Sequence, residues 1–356
     1  MRFGLTQDQT AIANSVADTL RRALPQSDLV KRFDAQDLDA HLWREFAQLG
    51  TGQILVPAAQ GGLGLDLLTL AQVAEQMGRS GASLPAINNA LAAWVLALAG
   101  TSAQKETWLG AVADGAVCAA FSLPPAGGEE SLELWRFEGS TLSGRGALVE
   151  WGIQAQLLIV GADSGQLMLV DMAHPGVKRS SVSTVDGTRP LAEVALEGVP
   201  AEHLQCGEGF IDRLRDAMLV LLAADAYGAA SSALNMAVEY AKVRTQFDRL
   251  IGSFQGIKHQ LANLVAELEP CRPMVWYAAH AWDAIPDQRA RAAAMAKAHV
   301  TDVAVRTARM AVEVHGGIGY TWECTLHVFL KRAMHDRASM GVPERHRERA
   351  ATLAGW

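Results

Sequence analysis

The chain has 356 residues, 50% of them hydrophobic, which is more than one simple core holds and predicts two or three layers or subdomains. A net charge of −7 with acids and bases interspersed leaves no extended cationic face, so nucleic acid is set aside as a partner. The longest apolar run, about Ala90 to Ala99, falls well short of the roughly 20 residues a bilayer span needs, and the N-terminus turns polar at once, so no membrane role is expected and a cytoplasmic protein is.

Residues 1–115 read as an N-terminal helical domain. Thr6-Gln-Asp-Gln opens an apolar-periodic run, and Leu42, Trp43, Phe46 and Leu49 recur at helical spacing before Gly50 stops the chain. The loop from Gly61 to Gly64 follows no strand and precedes no phosphate-binding lysine, so chain reversal is the better reading than a phosphate cradle. Residues 116–205 change texture. Short apolar runs such as Leu157 to Val160, Leu167 to Val170 and Val194 to Leu196 are cut by Gly, Pro, Asp and Ser, which predicts a small β-domain. Residues 206–356 are helical again, with Leu214, Met218, Leu221 and Leu222 forming a stripe ahead of Asp225 and Gly228. Cys118, Cys206, Cys271 and Cys324 are scattered without CxxC spacing, and no metal site or disulfide framework is expected.

The last region contains the stretch Val243 to Ala262, which places Arg244, Gln246 and Phe247 at the end of a helical run. After a break at Gly252-Ser253, Phe254 and Gln255 open the next helix. A guanidinium beside two rings and two amides suits a ligand with both a phosphate and a flat heterocycle. The plain alternative is a solvated end-of-helix cation with two core phenylalanines. Further on, Glu313-Val-His315-Gly316-Gly317-Ile-Gly319 ends a helix in a turn whose amides could meet an anion, although on spacing alone a helix cap is the better explanation of such glycines.

The run Arg244-x-Gln246-Phe247-x-x-x-Ile251-x-x-Phe254-Gln255, followed by His259 and Leu261-Ala262, resembles the acyl-CoA dehydrogenase family, in which Asp248 is usually Gly. So does the ordered series Trp43 to Gly50, Val56-Pro57, Gly61 to Gly64, Glu75 to Arg79 and Leu84-Pro85, and the resemblance covers almost the whole chain. It implies a mainly α fold with a central β-barrel domain and a C-terminal four-helix bundle. The implied cofactor is FAD, whose adenine half would be held across an oligomer interface by Arg244, Gln246, Phe247, Phe254, Gln255, Glu313, Gly316 and Gly317. The implied partners are an acyl-CoA thioester, an electron-transfer flavoprotein and further subunits of a homo- or hetero-tetramer.

Other features depart from the family. The loop that usually reads Thr-Glu-Pro-x-x-Gly-Ser-Asp is Ser122 to Glu130 here, and the flavin-bonding Trp-Ile-Thr aligns with Leu148-Val149-Glu150. A carboxylate there would repel a reduced flavin. The α,β-desaturation the family performs needs a carboxylate base, yet its two usual positions hold Met340 and Met218. Asp225, two turns beyond Met218 in an apolar run, is the candidate substitute, with a raised pKa expected from burial. A packing role for Asp225 is the competing reading, and Glu323 and Asp336 read as polar faces of exposed helices.

Adenine-side features are kept and ring-side features are lost, which suggests a subunit that completes a cofactor site in another, catalytic chain. Trp322-Glu-x-x-Leu-His327 and Pro343-Glu-Arg-His-Arg347 look similar to the smaller chains of bacterial acyl-CoA dehydrogenases, some of them heterotetrameric and acting on steroid thioesters. A self-sufficient homo-oligomer using Asp225, or a scaffold without flavin, are the alternatives.

Overall fold

The computed structural model describes residues 4–33, 37–123, 134–162 and 165–356, with Leu134 and Ala147 described by backbone alone. Seven helices come first: α1 (Gln7–Ala23), α2 (Gln26–Phe33), α3 (Ala40–Ala47), α4 (Leu67–Ser80), α5 (Ala86–Ala99), α6 (Ser102–Gln104) and α7 (Gly110–Ala113). Thr6 and Gln9 form a reciprocal capping box at the start of α1, and Asp66 caps α4 by accepting from the Thr69 amide. The loop at Gly61 to Gly64 folds back on the segment before it, with the Leu63 and Gly64 amides donating to the Gln53 and Val56 carbonyls.

The β-domain holds β1 (Ala119–Ser122), β2 (Leu134–Glu138), β3 (Thr141–Glu150), β4 (Leu157–Gly161), β5 (Leu167–Asp171), β6 (Val177–Val182), β7 (Leu191–Pro200) and β8 (Glu202–His203). They form two four-stranded sheets, ordered β1-β4-β5-β8 and β2-β3-β7-β6. Trp135, Leu142, Val149, Leu158, Val160, Met168, Val170 and Val194 make a core separate from that of the helices. β4 is buried at every position and reads as a continuous apolar run, whereas β7 alternates because one face meets solvent.

Six helices follow: α8 (Phe210–Val243), α9 (Gln255–Leu268), α10 (Cys271–Ala284), α11 (Pro286–His315), α12 (Leu326–Ala338) and α13 (Pro343–Leu353). A two-strand hairpin, β9 (Thr245–Gln246) with β10 (Arg249–Leu250), stands between α8 and α9. The 34-residue α8 is long and apolar enough to cross a membrane, but its most apolar stretch is 83% buried inside the protein. It is apolar all round because α4, α10, α11 and α12 pack against it.

The N-terminal helices and the C-terminal bundle share one apolar core, although residues 116–205 lie between them in the chain. They meet at a reciprocal glycine contact. A Cβ on Gly78 of α4 would collide with the Asp225 carbonyl oxygen, and a Cβ on Gly228 of α8 with that of Glu75. Only glycine at both positions lets the two backbones touch, which explains the Gly in the Glu75 to Arg79 motif without any ligand.

Candidate functional site

The segment after α8 is more elaborate than a helix-turn-helix. Helix α8 stops at Val243 and Arg244 caps it in extended conformation, so Gln246 and Phe247 lie in the hairpin rather than in the helix. Phe247 and Asp248 occupy the two turn positions with φ of 52° and 60°, the left-handed pair that a two-residue hairpin of this hand requires. Asp tolerates that conformation, so Asp248 serves where the family usually has Gly. A left-handed Phe is a true outlier, and this one is also 88% exposed.

The Phe247 ring meets Phe254 edge-on at 6.4 Å, and the Arg249 guanidinium lies over Phe254 at 5.2 Å. Among the described residues the Arg244 side chain has no hydrogen bond or ion pair, and Gln255 likewise has no side-chain partner; both are exposed. Gln246 bonds only to the neighbouring Thr245 carbonyl.

At the end of α11, Gly316 takes φ 63° and ψ −141°, a region open essentially to glycine alone, and its amide donates to the Glu313 carbonyl. A Cβ on Gly317 would meet nothing in this chain, so internal packing does not require glycine there. Glu313 is exposed. The two segments are joined by a stack: the Tyr240 and His315 rings lie 4.2 Å apart and 16° from parallel. Tyr240 is one turn before Arg244 and accepts its amide, and His315 immediately precedes Gly316. The structure thus brings Arg244, Gln246, Phe247, Phe254, Gln255, Glu313, Gly316 and Gly317 to one end of the bundle.

The positions expected on the ring side behave differently. Met340 stands in a turn at φ 56°, pinned from both sides. Lys297 donates to the Arg337 and Gly341 carbonyls at 3.0 and 3.2 Å, and His346 bonds the Met340 carbonyl at 3.1 Å. Burial pulls Lys297 down to about 8, and burial with the Lys297 charge pulls His346 down to about 4. Met218 is half-buried in α8. The substituted loop Ser122 to Glu130 lies, from residue 124 on, outside the described residues.

Asp225 is not the poised base that its apolar surroundings suggested. Burial alone would raise its pKa, but the Arg332 and Arg189 guanidiniums outweigh burial and hold the carboxyl well below the usual carboxylate range. Arg332 grips it with two bonds of 2.7 Å, and Arg189 lies 3.0 Å from it. A carboxylate so engaged has no tendency to take a proton from a substrate.

Asp336 does not lie on an exposed helix face. It is 0% exposed, 3.6 Å from Arg189, and burial and the Asp225 charge push its pKa well above the normal value. Glu150 is not a loose carboxylate either, since Arg189 donates to it at 3.0 Å. Sequence reading missed both arginines. Arg332 had a signal, because it shares an i, i+4 face with buried Val328 and Asp336, whereas Arg189 sits in a turn without periodicity.

Comparison with known proteins agrees with this architecture. Residues 6–116 match the acyl-CoA dehydrogenase N-terminal domain and residues 217–353 the acyl-CoA dehydrogenase C-terminal domain. Acyl-CoA dehydrogenase IpdE2 of Mycobacterium tuberculosis is 32% identical over 299 residues, covering 83% of this chain and 80% of the relative. Among solved structures, the Tcur3481-Tcur3483 steroid ACAD G363A variant superposes with a TM-score of 0.88 at 28% identity over 98% of both chains. Butyryl-CoA dehydrogenase from Megasphaera elsdenii superposes with a TM-score of 0.89 at 25% identity over 100% of both chains.

Proposed function

The chain belongs to the acyl-CoA dehydrogenase family, and from that premise we propose that it is the accessory subunit of a mixed oligomer in which a partner chain carries out the α,β-desaturation. The family's cofactor is FAD. In this reading Arg244 forks the pyrophosphate, Phe247 and Phe254 cover the adenine, Gln246 and Gln255 bond its edges, and the Gly316–Gly317 backbone approaches from the other side, with Glu313 at the rim.

The observation that carries the reading is an unpaired guanidinium, exposed beside an exposed ring in strained backbone, at a bundle end held together by the Tyr240–His315 stack. Strain and exposed apolar surface persist where something outside the chain rewards them. The complementary observation is that Met340 and Met218 cannot accept a proton and Asp225 is fully occupied. Bound FAD supplies the hydride acceptor, and the carboxylate base belongs to the partner chain. A steroid or other ring-bearing acyl-CoA thioester is the substrate class this reading favours, after the structural relative described as a steroid ACAD. An electron-transfer flavoprotein is the acceptor the family implies.

The test is to produce the chain alone and together with a member of the family that carries the carboxylate base. The expected result is a colourless isolated chain and a yellow complex with one FAD per pair of unlike chains. A flavin-bearing, catalytically active preparation of the isolated chain would overturn the assignment, as would a flavin-free complex.

A further inference from the structure

We propose that the ion network around Arg189 and Arg332 is a seal, which fills the seam between the β-domain and the bundle so that this chain takes the adenine half of the dinucleotide and excludes the ring half. The inference rests on the interface reading above and deepens it: the chain's ring site is closed, in addition to lacking a base.

The network includes one position that the resemblance assigns to a flavin-ring contact, and two of its acids lie near the expected base positions in sequence. Glu150, the last residue of β3, stands where the family's flavin-bonding Thr is expected, and Arg189 ties it down at 3.0 Å. Asp225 lies two turns along α8 from Met218, and Asp336, near the end of α12, is four residues before Met340, the two positions where the family's base is expected. Arg189 also reaches both of these acids, so one guanidinium joins the β-domain to α8 and α12.

Arg332 completes the closure. Fully buried, it spends two donors on Asp225, one on the Ala82 carbonyl at 2.8 Å after α4, and one on the Thr188 hydroxyl at 2.9 Å in the β-domain. Three parts of the fold are thereby fastened at one point. The charges are paired: two guanidiniums face Glu150 and Asp225, with buried Asp186 also close to Arg189, while burial favours the neutral form of Asp336. Opening a set of ion pairs centred on buried Arg189, Arg332 and Asp225 leaves a charge buried and unpaired, which is the costly direction.

The experiment uses riboflavin, which has the ring and no adenine, and reads saturable quenching of its fluorescence by the whole chain. The wild-type chain is expected to give none. The double variant Glu150→Thr/Arg189→Leu removes one charge of each sign from the β-domain side and leaves the Asp225–Arg332 pair in place. Its riboflavin affinity should rise at least tenfold, while the single variant Met340→Glu should gain neither riboflavin binding nor turnover.

Saturable quenching by the wild-type chain would overturn the seal. So would a double variant with native circular dichroism and melting that binds no better, or turnover by Met340→Glu alone. If the double variant does not fold, the wild-type riboflavin measurement still decides. Counting FAD in the complex with the partner chain keeps the two proposals apart. One per pair of unlike chains supports both, two per pair overturns the seal only, and none overturns the interface reading while the riboflavin result continues to judge the seal.

Discussion

Two arginine-centred regions of this molecule have opposite fates. At the end of the bundle Arg244 is exposed and unpartnered, next to a hairpin that holds Phe247 and Asp248 in left-handed conformation. At the seam with the β-domain Arg189 and Arg332 are buried and ion-paired with carboxylates. The chemistry of the side chain is the same, so the difference lies in what the fold has already given it to bind. A guanidinium that the fold leaves free, on a rigid platform, is available to a phosphate; one that the fold has paired in low dielectric is structure. The backbone agrees with this division. Among the described residues, the non-glycine positions with positive φ are Trp151, Phe247, Asp248 and Met340, which fall at the free end, beside Glu150 and at the pinned turn.

The sharpest way to break the comparison is to treat the buried arginine as if it were the exposed one. Arg332→Met should destabilise the fold by about 3–5 kcal/mol in urea unfolding, because it strands the Asp225 carboxylate opposite Arg189 alone. A loss under about 1 kcal/mol would mean that the seam is wetter than its burial implies.

Next in size is a dependence on pH. His346 has a folded pKa of about 4 against an unfolded value near 6.5, so the folded state resists protonation that the unfolded state accepts. Its contribution is present above pH 6.5 and is lost as pH falls towards 4, on the order of 3 kcal/mol in all. Denaturation curves between pH 7 and 4 should show that fall, and the same curves for His346→Gln should lack this part of the slope.

The exposed region should respond in binding and not in stability. Arg244→Met should weaken FAD retention in the assembled complex by roughly ten- to a hundredfold, the worth of about 1.5–3 kcal/mol for a charged hydrogen bond, while moving the unfolding midpoint by less than about 0.5 kcal/mol. Equilibrium dialysis of FAD beside thermal melting checks both halves. Equal effects on the two would show that Arg244 is structural after all.

The smallest effect concerns the hairpin. Asp248→Gly exchanges left-handed strain for chain entropy and should stay within about 0.5 kcal/mol, whereas Asp248→Val should cost about 1–2 kcal/mol. Melting temperatures of the two variants test whether the turn is held as tightly as its geometry suggests.

Much of the site was legible before any coordinates. Arg244, Phe254, Gln255 and the Gly316–Gly317 turn are close to element ends, and spacing along the chain is enough to put them there. The hairpin was not legible, because a two-residue strand carries no periodicity, and Phe247 at a left-handed position contradicts its local preference. Asp225 was misleading for a related reason. An acid in an apolar run predicts burial, which is correct, but its pKa depends on Arg332 and Arg189, which come from a distant helix and a turn of the β-domain.

By itself the sequence determined the order of helical and strand segments and the identity of the groups available for a phosphate and a heterocycle. These follow from periodicity, residue chemistry and position, all of which are local. Only the tertiary structure decided which arginines are free and which are paired, and why Gly78 and Gly228 are glycines. Burial and electrostatic pairing depend on which side chains the fold brings within a few ångströms, and no spacing along the chain records that distance.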